Sequence, residues 1–166
     1  MAFSLLPKII VPALTDVSVQ LLQSRDIRLL MLDFDNTIVP YTTSTPTEEM
    51  HAWLTAMVNS PIQLCVVSNS KKNRVKIFCE KYGIPCITHA RKPFSKGIKE
   101  CLAKFGVAPS QCALVGDQIF TDTMGANGTG VTSILVKAID NHNIWLKLRH
   151  VAEIPFILMA RKRRLK

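Results

Sequence analysis

The chain lacks the features that would place it among several large classes of protein. It has no apolar run near the ~20 residues that span a bilayer, and no internal repeat or low-complexity tract. Its opening, "MAFSLLPKIIVPAL", is interrupted by Pro7, Lys8 and Pro12 and has no basic leader ahead of a clean apolar stretch, which argues against a signal peptide. Five cysteines are too odd a number for a complete disulfide set, and none form a C-x-x-C pair, so the expected state is reduced thiols serving as small core residues in a cytoplasmic setting. No RNA- or DNA-binding motif is present, and no nucleic-acid partner is expected. Charged residues make up 20% and apolar ones 48%, a globular balance in a length suited to one domain of 166 residues. The net charge is +9, but residues 161–166 alone carry five positive charges and no negative one, leaving +4 for the remainder. The basicity is largely a property of the tail. Such a tail is either simply solvated or a point of contact with an anionic membrane surface.

Five short apolar runs recur, at residues 28–33, 62–67, 84–87, 112–116 and 131–136. Helical signals lie between them. Thr45 or Thr47 caps a first helix with Glu48 and Glu49 in its opening turn and an apolar face of Trp53, Leu54, Met57 and Val58. Ser70 caps a second that carries Ile77, Phe78 and Tyr82 and ends at Gly83. Pro93 suits the first turn of a third, with a stripe of Ile98, Leu102 and Phe105 and a stop at Gly106. Apolar strands alternating with helices predict βαβ units: an α/β fold with a central parallel sheet of about five strands and helices on both faces. In such folds ligands bind beyond the carboxyl ends of the strands.

The residues at those ends are chemically pointed. The first strand runs into "LLMLDFDNTIVPY", residues 29–41, with Asp33 and Asp35 two apart. Positions i and i+2 of an extended chain share a side, so the two carboxylates repel unless a cation lies between them or one keeps its proton. Phe34, between them, is expected to face away and pack. Ser68, Asn69 and Ser70 follow the second strand; His89, Arg91 and Lys92 follow the third; Gly116, Asp117 and Asp122 follow the fourth. Any one of these alone is weak evidence, and a lone aspartate there reads as a turn or cap residue, but a metal-binding or nucleophilic carboxylate pair, a hydroxyl, a cation and a further acidic pair arriving together at one sheet edge, in this order, point to a functional site.

The constellation resembles the haloacid dehalogenase (HAD) superfamily of phosphohydrolases. "DFDNT" is similar to its first motif, "VVSN" to its second, Lys92 of "RKP" to its third and "GDQIFTD" to its fourth, over residues 28–136. The Asn36-Thr37 pair and Val39-Pro40 resemble a compact subgroup, the bacterial YqeG-type proteins and mitochondrial phosphatidylglycerophosphate phosphatases. The resemblance implies a HAD-like Rossmannoid three-layer fold and a Mg²⁺-dependent phosphatase. Asp33 would be the nucleophile and Asp35 the proton carrier. Asp33, Asp117, Asp122 and Asp35, the last through its backbone carbonyl, would stand around the metal, with Asp122 bound through water or positioning Lys92. Ser68 and Lys92 would hold the phosphate. Asn69 is a further candidate there, or a turn residue beside Ser70. His89 reads as a structural or substrate-rim residue, and Trp53 and Trp145 as packing.

Only 30 residues separate Thr37 from Ser68, and the gap from Ser68 to Lys92 holds one helix and one strand. Neither has room for a large cap domain, so an open site is expected, suited to a large or macromolecular substrate or to a lid supplied by another subunit. The division implied is a single domain over 1–166: a core at about 25–137, an N-terminal extension of 1–24, and a C-terminal extension with a basic tail, 138–166. Both extensions either pack against the sheet or serve as a peripheral membrane anchor, in which Phe156, Ile157 and Leu158 and the first 14 residues would supply apolar contact. The substrate is then a phospholipid head-group phosphate such as phosphatidylglycerophosphate. The alternatives are a soluble sugar phosphate or nucleotide, or a non-catalytic HAD-like binding protein. Oligomeric state is not legible.

Overall fold

The computed structural model describes residues 4–71, 73–140 and 154–160. Six parallel strands form one sheet: β1 (Ile9–Ile10), β2 (Leu29–Leu32), β3 (Gln63–Val67), β4 (Cys86–Ile87), β5 (Cys112–Gly116) and β6 (Thr132–Leu135). Their spatial order is β1-β6-β5-β2-β3-β4. The sixth strand, not foreseen, comes from the N-terminal extension: Ile9 and Ile10 pair with Ile134 and Leu135 at the sheet edge. Ile9 and Leu14 are buried, so these residues of the N-terminal extension pack into the core.

The helices are α1 (Val19–Gln23), α2 (Glu48–Val58), α3 (Arg74–Tyr82), α4 (Lys96–Phe105) and α5 (Met124–Thr129). All four residues of β2 are fully buried, because the strand is covered on both faces. Its alternation splits the core. Leu30 and Leu32 face a layer built from α1, α2 and α3, with Leu22, Leu54, Met57, Val75 and Phe78. Leu29 and Met31 face the other layer, where α4 and α5 bring Ile98, Cys101 and Ala126. Truncating any of these β2 side chains to alanine costs about 2–5 kcal/mol.

Thr47, not Thr45, caps α2: its hydroxyl accepts the Met50 amide at 3.2 Å. Gly83 and Gly106 end α3 and α4 in the left-handed conformation, with φ of 64° and 63°. Three local expectations shift. Ser70 does not cap α3, whose N-cap is Asn73, because Ser70 is held in the loop: its amide donates to the Ser68 hydroxyl and its carbonyl accepts from His89. Pro93 precedes α4 and is not in its first turn; residues 91–94 form a turn closed by Phe94 N–H to Arg91 C=O, and the Lys92–Pro93 peptide is cis. Val58 and Ile77 are exposed: the buried stripe of α3 is Val75, Phe78 and Cys79, and Ile77 lies outside it. Trp53 packs at the core edge and donates its indole N–H to Val17 C=O at 2.9 Å, as expected of a packing residue; Trp145 lies outside the described residues. The cysteines are free thiols, four of them buried.

Beyond the sheet, residues 154–160 form a helical turn in which Phe156 sets its ring edge-on to Phe120, centroids 6.2 Å apart. Ile154, Leu158 and Met159 are the exposed apolar residues of this segment, whereas Phe156 and Ile157 are half-buried. The apolar trio expected at a membrane is thus partly turned toward the protein. The basic residues 161–166 lie outside the described residues. Among the described residues, no helix is long and apolar enough to cross a membrane.

Candidate active site

The strand order reverses direction at β2: the chain leaves it for β3 on one side and returns as β5 on the other. Such a switch point opens a crevice at the carboxyl ends of the strands. Leu32 pairs with Val66 and Val115, and the Asp33 amide donates to Val115 C=O at 2.9 Å. This register sets Asp33, the residues after β3 and the residues after β5 side by side.

Asp33, Asp117 and Asp122 converge, with carboxylate oxygens within 4.8 Å of one another. All three are buried. Lys92 arrives from the loop after β4, its side chain 1% exposed, and places Nζ 2.6 Å from Asp33 Oδ1 and 2.8 Å from Asp122 Oδ1. The Thr37 hydroxyl lies 3.3 Å from both Asp33 Oδ2 and Asp117 Oδ1. Asp122 Oδ2 also accepts the Gln118 amide. Gly116 makes this packing possible: a Cβ there would fall 2.3 Å from the Asp122 carboxylate.

Three carboxylates around one ammonium are electrostatically overfilled. Burial, then repulsion from Asp33 and Asp122, pushes the Asp117 carboxyl well above the usual carboxylate range. Burial raises Asp122 to about 6, with Lys92 pulling the other way. Burial also works against the charge on Lys92, but Asp122 and Asp33 outweigh it and raise the ammonium above its ordinary value. Hard oxygen donors with surplus negative charge suit a divalent cation, and the Asp33, Asp117 and Asp122 set can hold one.

The carboxylate of Asp35 is not part of this cluster. Its carboxylate forms an ion pair with Arg74, the first residue of α3. The same guanidinium donates to the carbonyls of Pro40 and Thr43 and lies over the rings of Phe34 and Tyr41. The repulsion implicit in the Asp33–Asp35 spacing is therefore met by two protein cations, Lys92 for one aspartate and Arg74 for the other. Phe34 faces away as expected, fully buried against Phe78 at a centroid distance of 5.2 Å. The loop closes tightly: Asn36, at φ 62°, donates its amide to Val39 C=O, and its side chain accepts from the Tyr41 amide.

Ser68 is buried at the end of β3. Asn69, a candidate for phosphate contact, holds the backbone of Lys92. Its side-chain oxygen accepts the Lys92 amide at 2.6 Å and its NH₂ donates to Lys92 C=O at 2.9 Å, so both ends of the side chain hold the lysine backbone. His89 sits in the left-handed region at φ 55° and bonds through its backbone to Ser70. Arg74 escaped the sequence reading. Its signal was a cation at a helix N-terminus, where the macrodipole disfavours positive charge.

A six-stranded parallel sheet with this carboxylate and lysine constellation at its switch point defines a phosphatase of the HAD type. Solved structures agree on the fold: a HAD-superfamily hydrolase, subfamily IA, from Geobacter sulfurreducens superposes with a TM-score of 0.55 at 12% identity, covering 70% of this chain and 90% of its own. The cobalt-bound deoxy-D-mannose-octulosonate 8-phosphate phosphatase from Haemophilus influenzae gives 0.54 at 13% identity, over 75% of each chain. The family model described as mitochondrial PGP phosphatase matches residues 3–139, and the chain belongs to that family. Its relative from Bacillus subtilis (strain 168), the probable phosphatase YqeG, is 33% identical over 131 residues, 79% of this chain and 76% of that protein.

Proposed function

We propose that the chain is a Mg²⁺-dependent phosphomonoesterase that works through an aspartyl-phosphate on Asp33. The observation that carries this reading is the ion pair of a fully buried Lys92 with Asp33, inside a carboxylate cluster charged beyond what one lysine neutralises. Mg²⁺ held by Asp33, Asp117 and Asp122 would offset the charge of the phosphate and polarise its oxygens. A carboxylate oxygen of Asp33 attacks phosphorus, and the bond from phosphorus to the ester oxygen breaks. Asp35, paired with Arg74 as a carboxylate in the resting site, must first take up a proton from solvent; it then gives that proton to the departing oxygen, which leaves as an alcohol. Water then attacks the phosphorus, Asp35 takes its proton, and the bond from phosphorus to Asp33 breaks to release inorganic phosphate. Lys92 balances charge on Asp33 and on the transferring group, and the Ser68 hydroxyl donates to a phosphoryl oxygen. Asn69 and Asp122 keep Lys92 aimed.

The substrate proposed is a phospholipid head-group monoester such as phosphatidylglycerophosphate, met at an anionic membrane surface by a peripheral, cytoplasmic single-domain protein. The family description supports it. So does the absence of room for a cap between the site motifs, and so do the exposed side chains of Tyr41 and Phe94 on loops that bear site residues. The helical turn 154–160 exposes Ile154, Leu158 and Met159, and the five positive charges of 161–166 come directly after it. Near an anionic surface each such charge contributes about 1 kcal/mol.

The test is turnover of phosphatidylglycerophosphate in vesicles beside a panel of sugar phosphates and nucleotides, with Mg²⁺ or a chelator, and with Asp33→Asn as control. The expected result is Mg²⁺-dependent release of phosphate from the lipid, lost in the control, with salt-sensitive sedimentation on anionic vesicles that falls when 161–166 are removed. Turnover confined to soluble phosphates, with equal binding to anionic and neutral vesicles, rejects the lipid substrate. Normal activity of a folded Asp33→Asn variant rejects the mechanism.

A further inference from the structure

We propose that Arg74 is the positioning residue of the proton carrier, fixing the Asp35 carboxylate and the loop over 40–43 in one arrangement from the first turn of α3. The inference rests on the reading of Asp35 as proton carrier. A cation at the N-terminus of a helix is opposed by the helix dipole, so something else must hold Arg74 there. Its side chain is 16% exposed; Nη1 and Nη2 are engaged by protein oxygens, while the buried Nε has no hydrogen-bond partner among the described residues. One nitrogen pairs with Asp35 Oδ1, another donates to Pro40 C=O at 3.5 Å and to Thr43 C=O. Its centre stands 5.1 Å from the Phe34 ring and 5.7 Å from that of Tyr41. A planar fork can bind a carboxylate and two carbonyls while stacking on rings; an ammonium offers the charge without that geometry.

The arrangement separates two groups of carboxylates that are close in sequence. Asp33 belongs to the buried cluster with Lys92, while Asp35 is drawn onto Arg74. Without Arg74, the Asp35 side chain would have a free choice of rotamers, and the distance from its oxygen to the departing ester oxygen would no longer be set. Misplacing a proton donor by about 1 Å can cost on the order of 10²-fold. The loss would fall on steps in which Asp35 moves a proton, not on phosphate binding.

The experiment compares wild type, Arg74→Gln, Arg74→Lys, Asp35→Asn and the double variant Asp35→Asn/Arg74→Gln, with Mg²⁺. Substrates are 2,4-dinitrophenyl phosphate, whose leaving group needs no proton, and phenyl phosphate, whose leaving group does; stopped flow resolves formation of the phospho-enzyme from its hydrolysis. Arg74→Gln is expected to lose roughly 10²-fold in phospho-enzyme formation from phenyl phosphate and far less from dinitrophenyl phosphate. It should show a burst of dinitrophenol followed by slow hydrolysis, and Arg74→Lys should recover part of the loss. In the Asp35→Asn background, Arg74→Gln should change neither step further. Equal loss on both substrates, or a loss that multiplies with that of Asp35→Asn, overturns the inference and leaves Asp35 as proton carrier. An Asp35→Asn variant without leaving-group selectivity overturns the reading of Asp35 itself. Thermal midpoints accompany each variant, and if Arg74→Gln does not fold, the same comparison with Arg74→Lys decides.

Discussion

Removing the metal and then raising the pH should destabilise this protein, because its site gathers three buried carboxylates around a single lysine. Asp122 has a folded value of about 6, against 3.8 for the free side chain. Between those values the folded protein keeps a proton that the unfolded chain has released. Stability is therefore greatest at or below about pH 4 for this group and falls as the pH rises toward and past about 6. A shift of about two units at 1.36 kcal/mol each makes the Asp122 contribution about 3 kcal/mol. Asp117, raised well above its ordinary value by burial and by its two acidic neighbours, acts in the same direction and extends the loss to higher pH. Lys92, raised by Asp122 and Asp33 against its burial, stays charged in both states throughout this window and does not change the slope. Mg²⁺ that binds only the folded state at 100 times its dissociation constant restores about 2.7 kcal/mol. The assay is urea unfolding followed by circular dichroism at about pH 5, 6, 7 and 8, in chelator and in Mg²⁺. The expected midpoint drops with pH in chelator and recovers with Mg²⁺ at neutral pH. A chelated protein whose stability is flat or rising from about pH 5 to 8, and indifferent to Mg²⁺, would refute the argument.

Other variants test single contacts. Lys92→Met leaves the carboxylates without their ammonium and is expected to cost about 3–5 kcal/mol at neutral pH in chelator, with phosphatase activity reduced at least 10²-fold; urea midpoints and turnover of an aryl phosphate check it. Gly116→Ala places a methyl group on the Asp122 carboxylate and should lower both the thermal midpoint and the Mg²⁺ response, each read by calorimetry with and without the ion. Asn69→Ala removes both bonds to the Lys92 backbone and is expected to cost about 1–3 kcal/mol, with kcat falling more than KM rises; the reverse pattern, raised KM at constant kcat, would restore Asn69 as a phosphate ligand.

The outline of the fold was legible because its signals are local. Apolar runs long enough to be strands alternate with helices whose limits are written in Thr47, Gly83 and Gly106, and a cap or a left-handed stop acts within one turn of the chain. The same pattern, through the rule that parallel sheets bind at their carboxyl edge, set Asp33, Ser68, Lys92, Asp117 and Asp122 at the strand ends, and the structure brings Asp33, Lys92, Asp117 and Asp122 into contact there, with Ser68 buried at the end of β3. Features that depend on packing were not legible. β1 is two residues long, too short for a periodic signal, and it exists because the edge of β6 offers it hydrogen bonds. Whether Asn69 faces a phosphate or a lysine backbone depends on how the loop after β4 returns beside the end of β3. Arg74 becomes the partner of Asp35 because α3 packs beside the loop after β2, where Phe34 meets Phe78. The order of residues alone dictated which of them stand at the strand ends, and hence the class of chemistry. Which charge answers which was settled only by the folded arrangement, because an ion pair depends on separations of a few ångströms between elements distant along the chain.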